Sequence, residues 1–198
     1  MRASPLTAEK IVDAGLYLAE KSSWERLRLF DIANHLKVEL TTIHSHFREK
    51  NDLVDAFFDR ADRVMLALGA QPEILKLDSE ARLSILLRSW FKNIQQHRKV
   101  AREMIWAQLE PGHFHMHAFA LLRISRTVQW WREAAQRSAV YLRRAIEETG
   151  LTAIYLSTML HWLYDDSDEA VNTDMFLENQ LRRAHWLTDL FCNQACTS

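Results

Sequence analysis

Apolar residues recur at three- and four-residue spacing along most of the chain, which is the signature of helices that bury one face. Ile11, Ala14, Gly15, Leu18 and Ala19 mark a first helix ending near Lys21, with Ser4 and Thr7 as candidate caps and Glu9 in its first turn. The stretch "KSSW" breaks the pattern. A short helix over about 29–36 then buries Leu29, Ile32, Ala33 and Leu36, "KVE" turns, and a third helix covers about 40–46. Asn51 or Asp52 opens a longer fourth helix, with Leu53, Phe57, Val64 and Leu68 inward, that stops near Gly69. "GAQPE" reads as the linker. Beyond it, apolar-periodic runs cover about 78–97, 99–109, 115–149, 151–164 and 171–193, with "PGH", "TG" and "DDSDE" as stops. The expectation is an all-α chain. A small three-helix domain occupies 1–50, and a larger helical bundle occupies 51–198, entered by a connecting helix at about 51–69.

Composition sharpens this picture. Only 4 Gly and 3 Pro in 198 residues leave too little punctuation for an all-β fold. Seven Trp and nine Phe fit either an apolar cavity or a Trp-rich core. A formal net charge of −1 does not advertise a nucleic-acid partner, so any such site must be a local patch. Cys192 and Cys196 make no disulfide framework, and no run of 18 apolar residues or signal-like leader occurs. A cytoplasmic protein with no membrane contact is expected.

The second and third helices carry the clearest chemistry. Two short helices that cross steeply need a small residue where they pack, and Ala33 supplies it; Val38 plugs the turn, while Ile43 and Phe47 anchor the third helix. At about 100° per residue, that anchoring turns Thr41, Thr42 and Ser45 outward, flanked by His44 and His46. Short hydroxyls suit base edges and thymine methyls, and imidazoles donate to phosphate. Lys50 lies at the entry to the fourth helix, where free N–H groups and a cation can hold a phosphate. Arg28, Lys37 and Arg48 complete a basic rim.

Residues 7–57 resemble the N-terminal domain of TetR-family transcriptional regulators. "DIA" at 31–33, "KVELTTIHSHF" at 37–47 and "REKNDL" at 48–53 keep the family's register without a gap. The segment "HWLYDDSDEAVNTDMFLENQLRRAHW" is also similar to the closing helices of some members. The resemblance implies a homodimer with two readers of double-stranded operator DNA and a C-terminal domain that often takes a small apolar effector. The chain departs from the pattern at several places. Ser22 or Ser23 replaces the usual Gly, His44 stands where Tyr grips phosphate, Leu40 takes a commonly polar place, and Arg28 takes that of a hydroxyl cap. Residues 1–60 hold nine Lys and Arg against ten Asp and Glu, a poor balance for neutralising phosphate. Asp13 and Glu20 on the first helix, with Asp55 and Asp59 on the fourth, can face away. A regulator and a degenerate, lipid-binding accessory protein of the same shape both remain open. The latter has precedent in coenzyme Q biosynthesis, whose "W…D-x-S" ending is similar to Trp162, Asp165 and Ser167.

Other candidates are weaker. His97, His113, His115 and His117 around "HFHMH" read as a polar loop, so no metal and no cofactor is expected. "DDSD" lacks the frame of a calcium loop. No nucleophile with its base, phosphate-cradling glycine loop or carboxylate pair occurs at a recognisable spacing, so no catalysis is expected. Met65, Trp90, Met104, Trp106 and Trp130 are the candidates for lining an apolar pocket, with a filled core as the alternative. Tyr155, Met159, Trp162 and Leu163, then Leu181, Trp186 and Leu187, are expected to form a four-helix contact with a symmetry mate.

Overall fold

The computed structural model describes the backbone of residues 6–109 and 114–195; the side chains at 109–120 and 187–195 lie outside the described set. In chain order the helices are α1 (Ala8–Lys21), α2 (Leu29–Leu36), α3 (Leu40–His46), α4 (Lys50–Gly69), α5 (Pro72–Leu75), α6 (Ser79–Ile94), α7 (Arg98–Leu109), α8 (Phe114–Ala134), α9 (Tyr141–Leu163) and α10 (Val171–Ala195). Among the described residues there is no strand. Two compact units result. The first is Met1–Arg60 with Gln96–Ala120, the second Ala61–Gln95 with Leu121–Ser198, and α4 runs unbroken through the division.

In the first unit local chemistry sets the helix ends. Thr7 caps α1 by accepting the Lys10 N–H at 3.3 Å. Asp31 accepts the Arg28 N–H at 3.0 Å at the start of α2. The α2–α3 turn is made by Lys37 in the left-handed region (φ 56°), which lets the Val38 N–H reach Ala33 O at 3.0 Å. Gly15 allows α1 and α2 to approach, since a Cβ there would meet Ile32 Cδ1 at 3.3 Å. Ile11, Leu16, Ile32, Ile43 and Phe57 are buried in the core of this unit.

In the second unit the core is built from Met65, Leu86, Leu87, Trp90, Trp131, Trp162 and Leu163. Two details differ from the sequence pattern. The predicted run 115–149 is broken at 135–140, where Gln136 adopts φ 55°, and α9 then passes straight through Gly150. The break carries neither Gly nor Pro and is held by side chains, with Arg132 Nη2 donating to Ala139 O at 2.6 Å. A single helical Gly costs only about 1 kcal/mol, so "TG" is no stop. The inner face of α4 also differs. Val64 is exposed, and Ala61, Asp62, Met65 and Gly69 point inward. At Gly69 a Cβ would meet Ala134 Cβ at 3.1 Å.

Candidate functional site

Ile43 and Phe47 are buried, and this fixes which face α3 presents. Thr41, His44, Ser45 and His46 are exposed and Thr42 is half-buried. The hydroxyls are held ready. Thr41 Oγ1 donates to the Glu39 carboxylate at 3.1 Å, and Ser45 Oγ donates to Thr42 O at 2.7 Å. Lys37 and Arg48 are exposed beside them. Arg28 is exposed but bonded to Asp31 at 2.7 Å, the contact that raises its pKa and lowers that of its partner.

Lys50 is placed differently from the expectation. Its ammonium donates to Trp24 O and, at 3.2 Å, to Glu25 O, and lies 4.8 Å from the centre of the Trp24 ring. Burial lowers its pKa against a smaller opposing pull from Glu25. The N–H groups of Arg48 and Glu49 are also occupied, both bonded to Asp52 Oδ2, at 2.7 and 3.1 Å. The first residue of the fourth helix thus clamps the 24–27 turn, whose Trp24 carbonyl also accepts the Leu27 N–H at 3.2 Å. The acid of this unit is drawn to its sides. Arg60 bonds Asp13 at 2.6 Å and also pairs with Glu9, Glu20 meets His97 Nδ1 at 2.5 Å, and Glu103 accepts the Trp24 N–H at 2.6 Å.

The pocket candidates separate. Met104 (buried) and Trp106 (half-exposed) belong to the first unit; Met65 and Trp90 (both fully enclosed) and Trp130 (half-exposed) belong to the second. Around Trp90 lies a polar node that the sequence reading missed. Its indole N–H donates to Asp62 Oδ1 at 2.7 Å, Arg123 Nη2 donates to Asp62 Oδ2 at 2.9 Å, and Thr127 Oγ1 donates to Asp62 Oδ1 at 3.1 Å. Tyr155 stands edge-on to Trp90 at 5.5 Å, and burial raises its pKa far above the usual phenol value. The detectable signal was an aspartate in the apolar frame Phe58, Ala61, Met65 of α4. A separate groove of about 500 Å³ lies between α6 and α10, lined by Ser84, Ile85, Arg88, Glu178, Leu181 and Arg182 among others.

The expected dimer residues mostly face inward. Tyr155, Met159, Trp162, Leu163 and Leu181 are buried within their own unit, and Trp162 Nε1 donates to Gln95 Oε1 at 2.5 Å. Both helices have two apolar faces, and on α9 Tyr155, Met159 and Trp162 take the inner one. Trp186 is exposed, as are Leu156, Leu160 and Met175. The Leu187 side chain lies outside the described residues, as do those of His113, His115, His117, Cys192 and Cys196. Among the described residues no cluster of metal-ligating side chains occurs, and no helix is long and apolar enough to cross a membrane.

The α9–α10 turn is tied by Asp165. Its Oδ1 accepts the Ser167 N–H and hydroxyl at 3.0 and 2.6 Å, and Oδ2 accepts those of Thr173 at 2.8 and 2.6 Å. Burial raises its pKa, but these four donors outweigh burial and hold the carboxyl well below its ordinary value.

Comparison with known proteins adds three findings. The COQ9 family model matches residues 125–188. The crystal structure of a TetR transcriptional regulator from Nitrosomonas europaea superposes with a TM-score of 0.81 at 43% identity, covering 90% of this chain and 97% of that one. A TetR transcriptional regulator from Rhodococcus sp. RHA1 gives a TM-score of 0.66 at 13% identity, with 88% and 92% covered, a likeness of fold. No curated protein matches the chain.

Proposed function

Because the chain belongs to the TetR family of transcriptional regulators, we propose that it binds operator DNA as a homodimer and is modulated by a small apolar molecule in its C-terminal helices. The observation that carries the DNA reading is the hydroxyl- and imidazole-bearing face of α3, with the unit's acid diverted to other partners. Thr41, Thr42, Ser45 and His46 read base edges, and His44, Lys37, Arg48 and Arg28 serve phosphate. Lys50 supports them indirectly by holding the turn before α2. The local balance of this face matters more than the net charge: Glu39, which accepts the Thr41 hydroxyl, is set against Lys37, Arg48 and the imidazoles. Effector and operator favour different arrangements of the two readers, so binding of one releases the other.

The test is selection of bound sequences from random duplexes, followed by mobility shifts at low salt. Retained duplexes are expected, with Thr42→Ala relaxing preference at one base step by about 1–3 kcal/mol. Thermal denaturation against a library of lipids and drug-like molecules tests the effector arm, since a ligand of the folded state raises the midpoint.

A second reading has an observation of its own. The COQ9 model covers most of α9 and α10, which supports a lipid-binding accessory protein that has lost DNA binding. Its outcome is distinct: a lipid raises the midpoint while no duplex shifts at any salt concentration.

A further inference from the structure

Two successive residues where α3 begins are of no use to the helix itself. A helix start favours Ser, Thr, Asp or Asn, whose short side chains accept a free N–H of the first turn. Here the place is held by Glu39, and its carboxylate makes no such bond. It accepts the Thr41 hydroxyl at 3.1 Å instead, and its second oxygen has no partner among the described residues. Leu40 follows, apolar yet 47% exposed, whereas Ile43 and Phe47 are buried. Glu39 breaks the rule for a helix start and Leu40 the rule for a solvated face. Neither gains anything inside the chain, which is the mark of a position kept for function.

The chemistry of the two side chains is selective. A carboxylate beside a duplex is repelled by phosphate, so it needs a base that donates to it. In the major groove the donors are the N6 amino group of adenine and the N4 amino group of cytosine. Adenine's lies next to the N7 lone pair, which repels a carboxylate, while cytosine's lies next to a C–H. Glu39 is therefore suited to cytosine. Leu40 has one apolar counterpart on that surface, the C5 methyl group of thymine. Consecutive Cα atoms stand about 3.8 Å apart, close to the roughly 3.4 Å between bases of one strand, so the two side chains can reach adjoining base pairs. Thr41, with its hydroxyl proton engaged, steadies the carboxylate.

We propose that Glu39 and Leu40 set the sequence preference of this face, Glu39 by accepting from cytosine N4–H and Leu40 by packing on the methyl of a thymine in the adjoining base pair. This rests on the operator reading above and adds which bases are chosen. It also gives the carboxylate a use. A sequence without cytosine at that step meets an unpaired negative charge, so affinity for random duplex is exchanged for selectivity.

The experiment uses the full chain and the duplex enriched by selection from random sequence, with mobility shifts at low salt. The enriched half-site should hold a cytosine and a thymine in adjoining base pairs. Two base analogues then test the unmutated chain. Deoxyuridine for that thymine removes only the methyl and should weaken binding about 4-fold, the worth of one buried carbon. N4-methylcytosine for that cytosine still pairs with guanine but fills the place of the groove-facing hydrogen, and should weaken binding about 10-fold. Leu40→Ala should be indifferent to the first analogue and Glu39→Ala to the second. Glu39→Ala should also hold unrelated duplex more tightly than the parent. Glu39→Gln should return adenine in place of cytosine in a second selection, because an amide pairs with adenine N6 and N7. Circular dichroism of these exposed-site variants should match the parent. An enriched site without the two bases, a parent indifferent to both analogues, or a Glu39→Ala gain equal for enriched and unrelated duplexes overturns the assignment while operator binding stands. A parent chain that shifts no duplex overturns the operator reading and this one with it.

Discussion

Lys50 in the first unit and Asp62 in the second are charges twelve residues apart on one helix, and they are stabilised in opposite ways. The ammonium is half-buried and held by two backbone carbonyls of a surface turn. The carboxylate is buried and held by side-chain donors from Trp90, Arg123 and Thr127. A carbonyl robbed of its cation can turn to water. A buried guanidinium has far less access to water, so removal of its carboxylate should cost more in the second unit than in the first.

The sharpest way to break this contrast is Asp62→Ala, which takes the carboxylate away from Arg123, Thr127 and the Trp90 N–H. We expect a loss of about 3–5 kcal/mol in urea unfolding, and part of it should return when Arg123 is also replaced by Met. A loss below that of Lys50→Ala would show that the node is hydrated and the contrast false.

Asp165→Asn should come next, at about 2–3 kcal/mol, since hydrogen bonds to a charged acceptor are the strong ones. It also carries a pH signature. The folded carboxyl is held below the ordinary value of about 3.9, so the unfolded chain takes up its proton first as pH falls. This contribution is full above pH ~4 and drains away below it, toward the depressed folded pKa. Stability of the Asn variant, measured from pH 7 down to 3, should therefore fall less steeply than that of the parent.

Lys50→Ala should cost about 1–2 kcal/mol by loosening the 24–27 turn. Its clamp role predicts an unchanged slope of log affinity against log salt. Arg48→Ala should flatten that slope by about one phosphate contact. Equal slopes for the two variants would return Lys50 to the phosphate. The smallest effect is a gain. Lys37→Gly relieves a left-handed backbone and should stabilise the first unit by about 0.5–1 kcal/mol in thermal unfolding while weakening binding.

The first three helices could be read from the chain to within a residue because short-range chemistry ends them: Thr7, Asp31 and the Ala33–Val38 turn act on their own neighbours. The outward face of α3 followed from two anchors, Ile43 and Phe47. What failed needed tertiary information. The break after Ala134 is made by an arginine reaching a carbonyl seven residues on. Asp62 was hidden because α4 turns a different face inward than Val64 and Leu68 implied. Tyr155, Met159 and Trp162 are buried in their own unit rather than turned outward, and a helix with two apolar faces does not say in its sequence which is inside.

The opening stretch of α9 has a kinetic consequence. Its ties to the rest of the second unit include Arg137 and Arg132 on Glu147, at 2.8 and 3.5 Å, while its apolar side chains touch solvent. Ten residues are too few to hold a helix in water by propensity alone. Refolding should thus complete the buried cores first, with residues 141–146 joining the helix last. Amide exchange in residues 141–146 should be fast, whereas amides near Trp90 and Trp131 should be the slowest of the second unit.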